Sequence, residues 1–298
     1  MKLDRRCFSV AVFALGMFIL PAGATIIDLT TSHTASGNIG QCVGVATDDC
    51  GFWVNVDAQS TGTGVIDPFY TVQHTGTEQG FNTDAPGASP NYDMKRANGS
   101  AFTQAIQVSD FGLVDIDGNP CNGCLTPYIR FALDINEAGG GDQFLSVDSL
   151  QLWVKTYNDI VSTTLATLTA DAVKIYDLDG LNNDVIYTDY SLNSGSGSGD
   201  VILYVPYAAF AGHTTDWLYL YGHYGSVGAL DNPTSPGCDG TTLSMDIHHN
   251  CDYQSSSGFE EWARLEGPNG VFVPEPVSSV LIGTGLVGIF FLRRRIRG

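Results

Sequence analysis

Aspartates at alternate positions beside a glycine form the chemically most pointed spacing in this 298-residue chain. Asp177-x-Asp179-Gly180-x-x-x-Asp184 offers short-stemmed oxygen ligands on a segment that can turn sharply, as a Ca2+ ion requires. Asp115-x-Asp117-Gly118-Asn119 is a shorter version of the same pattern. Neither is an EF-hand, because strand-like sequence flanks both and the position where the bidentate glutamate belongs is Thr188. Asp, Asn and Gly also favour turns that hold no ion. Asp177, Asp179 and Asp184 are therefore candidate calcium ligands, and residues 115–119 read as an acidic turn. No other cofactor is implied.

The cysteines come next. Cys7 sits in the first residues, and Cys42, Cys50, Cys121, Cys124, Cys238 and Cys251 form three close pairs. An even number in an exported chain reads as disulfides, and the clustering points to 42–50, 121–124 and 238–251. The rival is zinc on Cys121-x-x-Cys124 with His248-x-x-Cys251. Cys-x-x-Cys also serves redox proteins, but Asn122-Gly123 is turn sequence with no βαβ pattern around it. Structural disulfides are the expectation.

Catalysis has thin support. No Gly-x-Ser-x-Gly elbow is present, and histidines 33, 74, 213, 223, 248 and 249 fall in loops or at strand ends. Glycoside hydrolysis needs two facing carboxylates on a groove. Glu260 and Glu261 are neighbours on a strand, so they point to opposite faces. Glu260 shares its face with Trp262, a surface that suits a sugar but more commonly belongs to a core. The chain reads as a non-enzyme, with a glycoside hydrolase as the alternative.

The elements that would carry these residues are strands. Alternation marks 52–56, 101–108, 128–135, 147–155, 172–176, 185–190, 201–205, 217–223 and 259–265. In 128–135, Ile129, Phe131, Leu133 and Ile135 share one face; in 147–155, Leu150, Leu152 and Val154 do. Pro68 demotes 65–73 to an edge or a bulge. The 177–184 loop looks like a hairpin connection, and 206–212 is the one convincing helical turn, opened by Pro206 and ended by Gly212. Many short strands and turn-rich links predict an all-β chain folded as a jelly-roll-like β-sandwich. Residues 25–60 read as a peripheral hairpin on that domain.

Both termini speak of export. Lys2, Arg5 and Arg6 precede an apolar run and Ala22-Gly23-Ala24, so residues 1–24 are a predicted signal peptide that engages the secretion machinery and signal peptidase. At the other end stand Val273-Pro274-Glu275-Pro276, the uncharged run 277–292, and Arg293, Arg294, Arg295 and Arg297. As a helix that run spans about 24 Å, slightly short of a bilayer core, and the arginines hold its end on the cytoplasmic side. Between Thr25 and Pro276 lie six basic and 31 acidic residues, a balance of 6 − 31 = −25. Such a field repels nucleic acid, so no nucleic-acid partner is expected.

In layout and in its Pro-Glu-Pro, the C-terminus resembles the PEP-CTERM (VPEP-type) sorting tails of Gram-negative bacteria. That resemblance implies an exosortase as partner, which cuts near the tripeptide after a membrane-held intermediate. The middle is similar to a group of such proteins that has no assigned activity. The likeness rests on Thr61-Gly62-Thr63-Gly64-x-x-Asp67-Pro68-Phe69, Thr77-Glu78-Gln79-Gly80-Phe81-Asn82-Thr83, Leu133-Asp134-Ile135-Asn136-Glu137, Leu150-Gln151-Leu152, 193–200 and Phe259-Glu260-Glu261-Trp262-Ala263. The expected organisation is signal peptide 1–24, sandwich 25–266, linker 267–272 and a transmembrane sorting tail 273–298. The expected role is a structural or adhesive protein of the cell surface, biofilm or extracellular matrix, with exopolysaccharide or envelope components as partners.

Overall fold

A computed structural model describes residues 25–45, 48–55, 66–85, 92–94, 103–117, 121, 123–137, 143–160, 164–180, 183–193, 199–226, 253–256 and 258–264. The expected signal peptide, linker and sorting tail lie outside the described residues, as do Cys238 and Cys251. Among the described residues no helix is long and apolar enough to cross a membrane.

The alternating stretches become 15 strands among the described residues. The first seven are β1 (Ile26–Asp28), β2 (Ser36–Cys42), β3 (Asp48–Asn55), β4 (Asp67–Val72), β5 (Thr75–Gly76), β6 (Glu78–Phe81) and β7 (Ile106–Gln107). Then come β8 (Tyr128–Asp134), β9 (Phe144–Lys155), β10 (Val173–Asp177) and β11 (Val185–Asp189). The last four are β12 (Val201–Pro206), β13 (Trp217–Tyr224), β14 (Ser255–Ser256) and β15 (Glu260–Arg264). One sheet runs β1-β11-β9-β10-β2-β3-β12-β8-β15-β4, with β13 on β9 and with β6 and β7 along β13. Only the β1–β11 pair is parallel among these strands. The fold is all-β, consistent with a β-sandwich.

The shortest pairing along the sheet path is β10 with β2, two register pairs, Tyr176–Cys42 and Asp177–Gln41, and strands from both sides of it share one core. That core is built around large rings with polar tips. Trp53 on β3 donates its indole N–H to the Tyr176 hydroxyl at 3.0 Å, and that hydroxyl donates to the Ile39 carbonyl at 3.0 Å. Trp262 on β15 donates to the Tyr224 hydroxyl on β13 at 2.7 Å. The two indoles pack edge to face, 6.1 Å apart at 81°. Ile129, Phe131, Leu133, Leu150, Leu152 and Val154 fill the same core, on the faces their alternation predicts.

Several expectations gain detail. β4 ends the sheet path, so Pro68 does lie on an edge, and the register slips opposite it. Pro206 opens a 3-10 turn, Tyr207–Phe210, and Gly212 follows at φ +85°, a conformation that favours glycine. Cys42–Cys50 and Cys121–Cys124 are disulfide-bonded, with Cα–Cα separations of 5.9 and 5.4 Å. The first closes the β2–β3 hairpin and the second a loop ahead of β8.

Other readings change. β10 and β11 do not form a hairpin across 177–184; both pair in succession with the long strand β9. β9 has 12 residues, enough to serve two partners along one edge while β13 takes the other. The β2–β3 hairpin lies between β10 and β12 in the sheet, and Trp53 is in the core, so this segment is an integral part of the domain. The strand predicted at 101–108 shrinks to β7, because Val108–Asp110 coils into a 3-10 turn capped by the Asp110 carboxylate on the Gln107 N–H at 2.9 Å. A short helix α1, Leu165–Thr169, has no apolar period to announce it; the Thr164 hydroxyl caps it by accepting from the Thr167 N–H.

Trp262→Phe keeps a ring in the core but strips the Tyr224 hydroxyl of its donor, and should cost about 1–3 kcal/mol in urea unfolding. Trp53→Ala should cost about 3–5 kcal/mol, coupled rather than additive with Trp262→Ala because the rings touch. Peptide mapping without reductant should return the 42–50 and 121–124 bridges, with 238–251 as the remaining pair; a cross-link between clusters refutes the local pattern.

Candidate functional site

Three glutamates from distant parts of the chain meet inside the fold. Glu78 opens β6, in register with Tyr224 of β13. Glu137 follows the end of β8, and Glu260 opens β15 in register with Val72 of β4. The segment leading into β15 is pressed against the chain after β8, since a Cβ on Gly258 would lie 1.5 Å from the Asn136 carbonyl oxygen. Only glycine fits there. Glu78, Glu137 and Glu260 are 0%, 3% and 0% exposed.

Donors reach two of the three. Glu78 Oε2 accepts from the His74 N–H at 2.8 Å. Glu137 Oε2 accepts from the Ser256 N–H at 2.6 Å and from the Ser256 hydroxyl. Glu78 Oε1, Glu137 Oε1 and both oxygens of Glu260 are buried with no hydrogen-bond donor placed on them among the described residues. The polar neighbours of the Glu260 carboxyl are the carboxyls of Glu78 and Glu137, with which it is in hydrogen-bonding contact. Such contacts hold only while a proton lies between the oxygens, so Glu260 is the natural proton carrier. Burial, then the charge of Glu78, raises its pKa well above the ordinary value. Burial pushes Glu78 up to about 7 and raises Glu137 as well. Behind the trio, buried Tyr70 and Tyr224 are held neutral by desolvation.

A second acid pair closes the other side of β8. Asp200 Oδ2 accepts from the Ile135 N–H at 2.6 Å, and Asp134 Oδ1 from the Gly199 N–H at 3.3 Å. Burial and the neighbouring Asp134 raise Asp200 well above its usual value. Both acids are buried, and they pin the 199–200 segment to β8.

The predicted calcium loop is drawn together, with much of its oxygen already engaged. Asp177 Oδ2 pairs with the Lys174 ammonium at 2.6 Å, and Asp177 Oδ1 accepts from the Asp179 N–H at 3.3 Å. Asp184 Oδ1 accepts from the Thr25 N–H at 2.7 Å. Burial, then the charges of Asp177, Asp184 and Asp148, push Asp179 up to about 6 against a hydrogen bond from Ser149 that favours the ionised form. Asp148 comes from β9 and had no sequence signal tying it to this loop; its carboxylate accepts from the Ser226 N–H at 2.7 Å. In the second acidic turn Asp115 Oδ1 accepts from the Asp117 N–H at 3.0 Å, an ordinary turn bond. Among the described residues no three His, Cys, Asp or Glu side chains are disposed around a metal position. The sorting-signal residues 273–276 and 293–297 lie outside the described residues.

Glu260 and Glu261 do point apart: Glu260 joins the trio, and Glu261 accepts from the Thr71 hydroxyl at 3.3 Å. Trp262 belongs to the core rather than to a sugar platform. The trio itself escaped sequence reasoning, because an acid on a strand is ordinarily solvated. Its one available trace was that the Glu78, Glu137 and Glu260 strings are three of those that carry the family resemblance. No protein-family model matches the chain, and no curated protein or solved structure is matched by it.

These pKa directions set a pH dependence. A carboxyl raised on folding binds protons in the folded state that the unfolded chain has released, so its contribution is present below the unfolded pKa and is lost as pH rises through the folded one. For Glu78 that window runs from its ordinary value of 4.5 to about 7. In EDTA-containing buffer the urea midpoint should fall across this window, and Glu78→Gln should flatten the fall. A midpoint that rises with pH there would contradict the buried-acid geometry.

Proposed function

We propose that the chain is an exported, exosortase-processed protein of the cell surface or extracellular matrix, structural or adhesive rather than enzymatic, with a jelly-roll-like sandwich as its working domain. The observation that carries the reading is the C-terminal order of Pro274-Glu275-Pro276, a short apolar run and an arginine cluster. Supporting it, two disulfides mark a chain that matures in an oxidising environment. The acidic balance keeps a released domain soluble or bound to matrix polysaccharide rather than to anionic lipid. The glycoside-hydrolase alternative needs carboxylates facing each other across a groove. Burial of Glu78, Glu137 and Glu260, and of Asp134 with Asp200, favours the non-enzymatic reading over that alternative.

On this reading the tail is a sorting signal that is removed. The proline-fixed segment stands just outside the bilayer, and the glycine-containing run is a weak permanent anchor. Mass spectrometry of the mature protein from its native host should place the C-terminus near residues 273–276. Replacing Pro274-Glu275-Pro276 with three alanines should leave the chain uncut in the inner membrane. Recovery of Ile282–Leu292 on the extracellular protein, or unchanged processing of the triple-alanine variant, would return the tail to a plain membrane anchor.

A further inference from the structure

We propose that removal of the signal peptide completes the fold: the α-ammonium group freed on Thr25 pairs with the buried carboxylate of Asp184 and fastens β1 to the sheet. The inference rests on the export reading, through the expected cut after Ala24.

The contact is already set. The Thr25 nitrogen donates to Asp184 Oδ1 at 2.7 Å, and the Thr25 carbonyl accepts from the Val185 N–H at 3.1 Å. Thr25 is thus clasped on both sides by the residues that lead into β11. Asp184 is 5% exposed, whereas Thr25 is exposed. A carboxylate at that depth is costly without compensating charge or hydrogen bonds, and an ammonium on an exposed residue keeps part of its own hydration.

The surroundings favour a positive charge at this point. The charges of Asp177, Asp184 and Asp148 bear together on Asp179. Lys174 is engaged by Asp177 at 2.6 Å. On β1 itself, Asp28 Oδ1 accepts from the Thr30 N–H at 2.9 Å and from the Thr30 hydroxyl at 2.6 Å. Before cleavage the Thr25 nitrogen is a neutral amide with one proton. Hydrolysis by signal peptidase adds water across the Ala24–Thr25 bond, leaving a carboxylate on Ala24 and, at neutral pH, a protonated amine on Thr25. A neutral hydrogen bond thereby becomes a charge-assisted one, roughly twice as strong.

The strand has reason to need it. β1 is three residues long and pairs with β11 in parallel, so no hairpin turn holds it in place. Ile27 and Leu29 are buried, but Ile26 is 43% exposed. Terminal segments fray unless they are tied down. The ion pair supplies that tie at the end which processing leaves free, so the cut chain is held more firmly than its precursor.

The test uses the protein recovered after export, and N-terminal sequencing should begin at Thr25. A Gly-Gly insertion between Ala24 and Thr25 keeps the Thr25 N–H but moves the ammonium away, and should lower Tm by about 2–4 °C. Asp184→Asn should cause a similar fall, and the insertion should then cost nothing further. At about pH 7 an acylating reagent that reacts with the neutral amine should label the wild-type N-terminus about tenfold more slowly than that of the insertion variant. That comparison stands even where Asp184→Asn fails to fold. A mature start other than Thr25 overturns the expected cut and the ion pair with it. A Thr25 start with Tm unmoved by the insertion, with equal labelling rates, or with additive losses in the double variant overturns the ion pair alone.

Discussion

Rings with polar tips meet in the core, and a tip out of reach of water is stabilised by a partner there. Trp53 finds its partner in Tyr176, which donates its own proton to the Ile39 carbonyl, and Trp262 finds one in Tyr224. These bonds run from one part of the folded sheet to another, so they set which strands face each other as well as how closely. A greasier core would bury as much apolar area but would specify the mutual position of the layers less sharply. The strands are too short to persist alone, and their pairing depends on this shared interior.

The same interior explains why the acids divide into two populations. Among the described residues Asp49, Asp84, Asp117, Asp159 and Asp171 are exposed, where water screens them and they contribute to the field around the protein more than to its fold. A few are taken inside and used as connectors. Asp200 and Asp134 join the 199–200 segment to β8 through backbone N–H groups. Asp184 fixes the first described residue, Thr25, beside β11. In these places a carboxylate accepts from amides that no neighbouring strand can satisfy, and burial is tolerable because the amides supply the compensation. Glu260 differs in lacking any such donor among the described residues, and its polar company is the carboxyls of Glu78 and Glu137.

The two bridges close short loops beside strands. Cys42–Cys50 holds the end of a hairpin whose Trp53 is central to the core, and Cys121–Cys124 holds the turn ahead of β8. Closing short loops at strand ends constrains the unfolded chain while leaving the layers free to pack. An all-β domain stapled in this way suits an environment without chaperones or reductants.

Local pattern determined much of this protein before any folding was considered. Period-two alternation marked β8, β9, β12 and β13, Pro68 marked an edge, Pro206 and Gly212 bracketed a turn, and the spacing of Cys42, Cys50, Cys121 and Cys124 matched their bridges. Those features depend on neighbours within a few residues, which a sequence displays directly. The proposed route of export likewise rests on linear signals at the two ends. Tertiary structure alone decided that β10 and β11 share β9 rather than each other, and that the first hairpin is inside the sheet. It alone brought Glu78, Glu137 and Glu260 together across 182 positions of chain, counted from 260 − 78. Strand partners and buried charge contacts depend on which surfaces the closed sheet turns inward, and no single strand carries that information.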